Sequence, residues 1–227
     1  SISKKYKIPI IEDAAEAIGS TFNNKPLGTF GDLSIFSFNG NKIITTSSGG
    51  ALISKNIDFI KKAKFLATQA REDYPHYEHK EIGYNYRMSN VCAAIGLGQL
   101  EVLEKRVKKR RYIYEYYKSK LSDIKQIKFF EELPGYYSNR WLTTILFDKE
   151  AIINRETVRL SLLKENIESR PLWKPMHLQP LFKNCKVFDN GVSEDLFCRG
   201  LCLPSGSNMN DINLDRVIDN IKTLYES

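Results

Sequence analysis

Apolar positions along this chain fall into two textures. Up to about residue 55 they come as short dense runs, and residues 8–11, 33–38 and 50–54 read as three strands of one sheet, punctuated by Gly28, Gly31, Gly49 and Gly50. Asn56 or Asp58 then opens a helix to about Ala70, with Ile57, Ile60, Ala63 and Ala67 near helical spacing. Arg71 to Tyr86 is a polar, aromatic loop without periodicity. A long helix starts at Ser89 or Asn90 and reaches about Leu121. Its stripe is Val91, Ala94, Ile95, Leu97, Leu100, Leu103 and Val107, and Gly96 and Gly98 mark close packing or a bend.

Beyond Ser122 short strands mix with helices. Strands are predicted at 126–130, 141–147 and 167–173. Helices are predicted at 155–166 and 194–200, then a strand leaving the core at 201–206 and an amphipathic helix from Asp211 to Tyr225. This places one domain at 1–121, including the long connecting helix from about 89, and a small C-terminal α+β domain at 122–227. The start of the chain reads as the end of a helix entering a strand, as in a piece cut from a larger domain.

Composition narrows the class. The chain has 227 residues, 42% hydrophobic and 27% charged, enough for one sizeable core or two modest ones. No apolar run is long enough to span a membrane. The net charge of +7 is concentrated in Lys105 to Arg111, which reads as a solvated helix face rather than a nucleic-acid footprint. A basic protein also suits an anionic nucleotide-linked substrate. The four cysteines show no Cys-x-x-Cys spacing and make no metal set with the three histidines, so they read as reduced, mostly buried thiols of a cytoplasmic protein.

The candidate chemistry sits on two strand ends. Lys42 follows Leu33–Phe38 through a short Asn-Gly-Asn loop and precedes an Ile pair. Burial disfavours the charged form of a lysine, and such amines form Schiff bases with aldehydes. Read alone, it is an exposed loop lysine; what changes that reading is Asp13. Asp13 ends the first strand run. In open α/β sheets, ligands bind beyond the carboxyl ends of the strands. An acid and a lysine there match what pyridoxal 5'-phosphate needs: the lysine holds the aldehyde, and the acid keeps the ring nitrogen protonated. The plainer role of Asp13 is a helix N-cap before Ala14.

Four motifs in order carry a family resemblance: residues 11–20 (Ile-Glu-Asp-Ala-Ala-Glu-Ala-Ile-Gly-Ser), 28–32 (Gly-Thr-Phe-Gly-Asp), 37–42 (Ser-Phe-Asn-Gly-Asn-Lys) and 83–89 (Gly-Tyr-Asn-Tyr-Arg-Met-Ser). Over essentially its whole length the chain resembles the DegT/DnrJ/EryC1/StrS sugar aminotransferases, nearest to the bacterial protein-glycosylation branch. It lacks the long N-terminal portion of that family. The resemblance implies an α/β, fold-type-I, aspartate aminotransferase-like transferase. What is present is a partial large domain, with a mixed, mostly parallel sheet, plus the small α+β domain.

The resemblance also implies roles. Lys42 attaches the cofactor and moves the proton between substrate and cofactor carbons. Asp13 pairs with the ring nitrogen, Ala15 lies against the ring, and Glu16 belongs to the same cofactor-binding motif. Ser37 binds the phosphate, its plainer role being a strand-end hydroxyl on backbone. Asn85 reaches the phosphate of a neighbouring subunit in a homodimer with shared active sites, its plainer role being a turn residue. Arg87, Arg170, Trp173 and His177 are placed on the substrate side, where a core Trp and a structural Arg are the alternatives.

The implied reaction moves an amino group from L-glutamate, leaving 2-oxoglutarate, to C4 of a UDP-linked 4-keto-6-deoxy-2-acetamido sugar. Three alternatives stand beside it: another nucleotide-linked keto sugar, a dehydratase using the same cofactor, and an inactive or split fragment. Lys42 argues against the dehydratases, which carry His there. Because so few helices accompany the first three strands, one face of their sheet is expected to be bare, and the chain alone is not expected to be a self-sufficient enzyme.

Overall fold

The computed structural model describes residues 2–226. In chain order the elements are α1 (Ile2–Tyr6), β1 (Ile11–Asp13), β2 (Thr21–Phe22), β3 (Lys25–Pro26), β4 (Leu33–Ser37), β5 (Gly50–Ile53), α2 (Ile57–Ala67), α3 (Asn90–Glu101), α4 (Leu103–Lys120), β6 (Ile127–Phe129), β7 (Tyr136–Tyr137), β8 (Thr143–Phe147), α5 (Arg155–Lys164), β9 (Arg170–Pro171), α6 (Val192–Arg199), β10 (Gly200–Leu203) and α7 (Asp211–Glu226). Two short 3-10 turns, Met176–Leu178 and Pro180–Phe182, lie between β9 and α6. Among these helices, none is long and apolar enough to cross a membrane.

The chain divides into two compact units. One runs to Val107 and takes in Leu133–Asn139; the other holds Lys108–Glu132 and the rest from Arg140. The division falls inside α4, whereas the hydrophobic pattern set it at 121. The reason is packing: Ile113, Tyr117 and Leu121 are completely buried in the core of the second unit.

In the first unit, β1 runs parallel to β4 with Ile11 opposite Leu33 and Asp13 opposite Ile35, and β5 returns antiparallel on β4. The sheet is therefore mixed, with one parallel and one antiparallel pair. β1 starts later than its apolar run, because Pro9 cannot donate to a ladder and Ile8 and Ile10 stay exposed. A second small sheet, β3-β2-β7, was not anticipated. Its hairpin turns at Asn23 and Asn24, both at positive φ, a conformation Asn tolerates well.

The helices start where their caps allow. Asn56 accepts from the Asp58 N–H ahead of α2, and Ser89 accepts from the Cys92 N–H ahead of α3. The long helical pattern is broken at Val102, not at a glycine. Gly96 instead serves close packing, since a Cβ there would meet the Thr46 methyl at 2.8 Å, while Gly98 faces open space. The apolar stripe of α3 is not buried: Val91, Ile95, Leu97 and Leu100 are exposed. With β4, β5 and α2 it borders an open, largely apolar cavity of about 830 Å³.

The second unit has a closed core. Its sheet has the order β6-β8-β10-β9 with every pair antiparallel. β10 is central and wholly buried, so the segment from Leu201 does not leave the core as its Pro-Ser-Gly ending suggests. The predicted strand at 167–173 shrinks to Arg170–Pro171. α5 buries Val158 and Leu162, and α7 buries Leu214, Val217, Ile218 and Ile221 at helical spacing.

The tyrosines of α4 serve packing and the hydrogen bonds of the second unit. Tyr114 and Tyr117 are buried and donate to the carbonyls of Phe130 and Pro204. Tyr116 donates to Asp215, a hydrogen bond to a carboxylate that pushes its hydroxyl up to about 12. The basic run is less solvated than its charge suggests. Arg110 is buried and donates to the carbonyls of Trp141 and Ser205, and Arg111 pairs with Glu132. Of the four free thiols only Cys202 is buried, which pushes it up to about 11; Cys185 and Cys198 are exposed.

Candidate active site

The Lys42 loop is a closed structure. The Phe38 N–H donates to Gly49 and the Thr46 N–H returns to Phe38, while the Lys42 N–H donates to Asn39 within the turn. Ile43, Ile44 and Thr46 are buried directly after the lysine and fix its depth. Its side chain is 12% exposed and ends 2.7 Å from a Glu16 carboxylate oxygen. The amine is thus ion-paired, not set among apolar groups alone.

The acid side is built from the end of β1. Asp13 is exposed at the strand end, and its Oδ1 accepts from the Ala15 N–H at 3.1 Å. No helix follows; residues 14–19 form successive turns, so Asp13 caps a turn rather than a helix. The Ala15 carbonyl accepts from the Ser37 N–H at 3.2 Å, and Ala14 is locked to Ile35 through its own N–H. Asp13, Ala15, Glu16, Ser37 and Lys42 are therefore connected through the carboxyl ends of β1 and β4. Ser37 Oγ accepts from the Asn39 N–H at 3.4 Å, the plain strand-end role.

Two residues that the sequence reading passed over hold this arrangement. Glu12 alternates with Asp13 along β1 and points the other way. Its carboxylate accepts from the N–H groups of Gly28 (2.6 Å), Phe30 (2.9 Å) and Gly31 (3.1 Å), and from the Ser34 hydroxyl (3.3 Å). Burial acts to raise its pKa, but these donors outweigh burial and hold the carboxyl below its usual range. Gly28 allows the turn, having a positive φ and a Phe36 ring where a Cβ would sit. The signal for Glu12 was present in the strand alternation and the paired glycines. The second residue, Asn139, gave no sequence signal at all. It lies 119 or more positions from the groups it binds.

Asn85 and Arg87 lie on another segment, and both are exposed. Tyr84 and Tyr86 donate to the carbonyls of Leu66 and Ala67, which stitches this segment to the end of α2. Gly83 permits that approach: a Cβ there would stand 2.2 Å from the Ala70 nitrogen. Arg87 also borders the apolar cavity, which Asp13, Glu16 and Lys42 do not line.

The remaining candidates are in the second unit. Arg170 is tied to Glu168 at 2.6 Å and is mostly exposed. Trp173 is exposed, with its ring centroid 5.8 Å from that of Trp141. The His177 side chain is largely buried, and its Nε2 has no hydrogen-bond partner among the described residues, standing 3.8 Å from Asp189. His177, Asp189 and Glu194 place donor atoms within 4.8 Å of one another, a grouping that their spacing did not reveal; the Asp189 Oδ2 already accepts from the Gly191 N–H.

The residues at the ends of β1 and β4 fit pyridoxal 5'-phosphate by the chemistry of their donor set. An amine, a strand-end carboxylate, a small alanine and a hydroxyl occupy one connected cluster. The mixed sheet, this cluster and the small α+β unit define the architecture of a fold-type-I pyridoxal phosphate-dependent transferase. The chain belongs to the DegT/DnrJ/EryC1/StrS aminotransferase family, which matches residues 1–222.

Similar proteins bear this out. The "Putative pyridoxal phosphate-dependent aminotransferase EpsN" of Bacillus subtilis is 50% identical over all of this chain and 59% of its own length. The GDP-perosamine synthase of Vibrio cholerae is 38% identical over 97% of this chain and 60% of its own. The UDP-4-amino-4,6-dideoxy-N-acetyl-beta-L-altrosamine transaminase of Campylobacter jejuni is 32% identical over 100% and 61%. The structure of Helicobacter pylori PseC, an aminotransferase involved in the biosynthesis of pseudoaminic acid, superposes with a TM-score of 0.90 at 25% identity, over 99% of this chain and 62% of that one. The chain thus spans about 60% of the length of the proteins it matches.

Proposed function

We propose that this chain carries the lysine half of a pyridoxal 5'-phosphate site and serves an aminotransferase acting on a nucleotide-linked keto sugar. The observation that carries this reading is Lys42, nearly buried on a closed loop and connected through Glu16 to the strand that ends in Asp13. The bound cofactor supplies an electron sink for amino-group transfer. Lys42 Nζ would hold the cofactor through its aldehyde and would take and return the proton at the substrate carbon. Asp13 keeps the ring-nitrogen proton in place by its charge. Ala15 leaves room for a ring, and Ser37 offers its hydroxyl to the phosphate. Asn85, exposed on a segment anchored to α2, serves the phosphate of a second subunit in a homodimer. Arg87, Arg170, Trp173 and His177 contact the substrate.

L-glutamate is the amino donor in this proposal and 2-oxoglutarate the product. The acceptor is C4 of a UDP-linked 4-keto-6-deoxy-2-acetamido sugar, which the Campylobacter relative's name supports. The Vibrio relative's name supports a GDP-linked sugar instead. The unpaired thiols suit the cytoplasm. The test is release of 2-oxoglutarate from L-glutamate with pyridoxal 5'-phosphate and each class of 4-keto sugar in turn. Turnover with the UDP sugar is expected of the full-length protein, and not of residues 1–227 alone. Turnover with only the GDP sugar replaces the substrate. No turnover at full cofactor occupancy leaves an inactive or split piece of such an enzyme.

A further inference from the structure

Asn139 is 4% exposed, at the end of the 133–139 segment that belongs to the first unit. Its side-chain Nδ2 donates to two carbonyls, Glu16 at 2.7 Å and Ile18 at 3.0 Å. Its backbone N–H donates to Ser20 Oγ at 2.9 Å, and Ser20 is itself buried. One residue therefore makes three hydrogen bonds to residues 16–20.

That stretch needs them. Residues 14–20 are neither helix nor strand, and their own turns use the carbonyls of Ala14 and Ala17, which accept from Ala17 and Ser20. The carbonyls of Glu16 and Ile18 are the ones Asn139 takes. A primary amide suits the task, because its two N–H bonds diverge from one nitrogen and reach two carbonyls at once. Fixing the Glu16 backbone fixes where its side chain starts. Glu16 is half exposed, so packing does not hold its carboxylate; the backbone anchor and the bond to Lys42 do.

We propose that Asn139 is a positioning residue that sets the Glu16 carboxylate on Lys42 Nζ and so governs the exposure and reactivity of that amine. This deepens the reading of Lys42 as the cofactor lysine, but its test needs no cofactor and no turnover. An amine tied to a carboxylate and shielded by its loop reacts slowly with an acylating reagent. Loosening Glu16 releases it.

The experiment is limited acetylation of the cofactor-free chain with acetic anhydride, with mass-spectrometric measurement of Lys42 modification relative to Lys128, which lies in the other unit. Glu16→Gln is expected to raise the ratio about fivefold and Asn139→Ala about threefold, within the coupling range of contacting residues. Asn139→Asp, which turns a carboxylate toward two carbonyls, is expected to raise it at least as much. The decisive comparison is the double variant, Glu16→Gln with Asn139→Ala. If Asn139 acts through Glu16, it reacts no faster than Glu16→Gln alone. Should the Asn139 variants not fold, Ser20→Ala removes only the backbone anchor and is expected to give a smaller rise that likewise vanishes in the Glu16→Gln background. Unchanged Lys42 labelling, or single effects that multiply in the double variant, overturns the proposal. A fall in melting temperature alone, with Lys42 labelling unchanged, makes Asn139 merely structural. Failure of the chain to aminate any sugar bears on the function proposed above and not on this inference.

Discussion

The two units of this chain are stabilised in different ways. The second buries a contiguous cluster of aliphatic and aromatic side chains between its sheet, α5 and α7, with α4 tyrosines completing it. The first carries all the cofactor candidates and buries little: neither α2 nor α3 has a buried residue, and the central strand β4 buries only Ser34. What holds it is polar, namely the Glu12 carboxylate, the Asn139 amide and the closed 38–49 loop. Meanwhile Ile35 and Leu52 on its sheet and four apolar residues of α3 remain open to solvent. A hydrophobic core tolerates any side chain of suitable shape, whereas a polar brace fixes particular atoms in particular places. The candidate amine, Lys42, and the candidate acid, Asp13, both lie on the braced unit.

The largest effect that sharpens this contrast is expected at Asp13. Asp13→Asn keeps the shape and loses the charge, and the transition state for turnover should rise by several kcal/mol, with little change in unfolding. The measurement is kcat/KM beside a denaturant midpoint. Near-normal turnover would reduce Asp13 to the cap on Ala15 that its Oδ1 already makes. In the second unit the balance is reversed. Ile145→Ala, at a fully buried position of β8, should cost about 2–5 kcal/mol in denaturant unfolding and alter Lys42 chemistry only through lost folded protein.

These expectations show how much was legible in advance. The second unit was readable because amphipathic period reports burial directly: Leu214, Val217, Ile218 and Ile221 sit where a helix facing a core must place them. The same reading misled in α3, whose apolar residues lie all round the helix instead of on one face, and whose Val91, Ile95, Leu97 and Leu100 are exposed. Periodicity says which face is apolar, not what covers it. At the site, the motif positions of Asp13 and Lys42 were legible because short-range order sets strand ends. Asn139 was not, since its contacts are made by tertiary folding. Nor was the true place of Arg110, whose charge suggested solvent while its guanidinium satisfies two buried carbonyls.

Smaller effects separate the two regions further. Glu12 has its carboxyl held below the ordinary value of 4.5 by backbone donors. A lowered folded value means that its contribution to stability is present above about pH 4.5 and is lost as pH falls through the folded value. Glu12→Gln should flatten the loss of stability below pH 4.5, measured by thermal unfolding of the first unit's signal from pH 3 to 6. An unchanged acid limb would show that the Gly28–Gly31 nest adds nothing. Smallest of all, Leu97→Ala on the open stripe of α3 should shift unfolding by no more than about 0.5 kcal/mol. A loss as large as that of Ile145→Ala would mean that α3 is covered in solution.

The most direct test is where the cofactor attaches. The full-length protein loaded with pyridoxal 5'-phosphate is reduced with borohydride and digested, and each lysine peptide is measured for a pyridoxyl group. The expected result is one dominant modification on Lys42, absent in Lys42→Ala, which should still bind some cofactor without a covalent bond through its ring and phosphate contacts. A dominant pyridoxyl group on any other lysine, or labelling spread evenly over exposed lysines with Lys42 untouched, would contradict the assignment of this site.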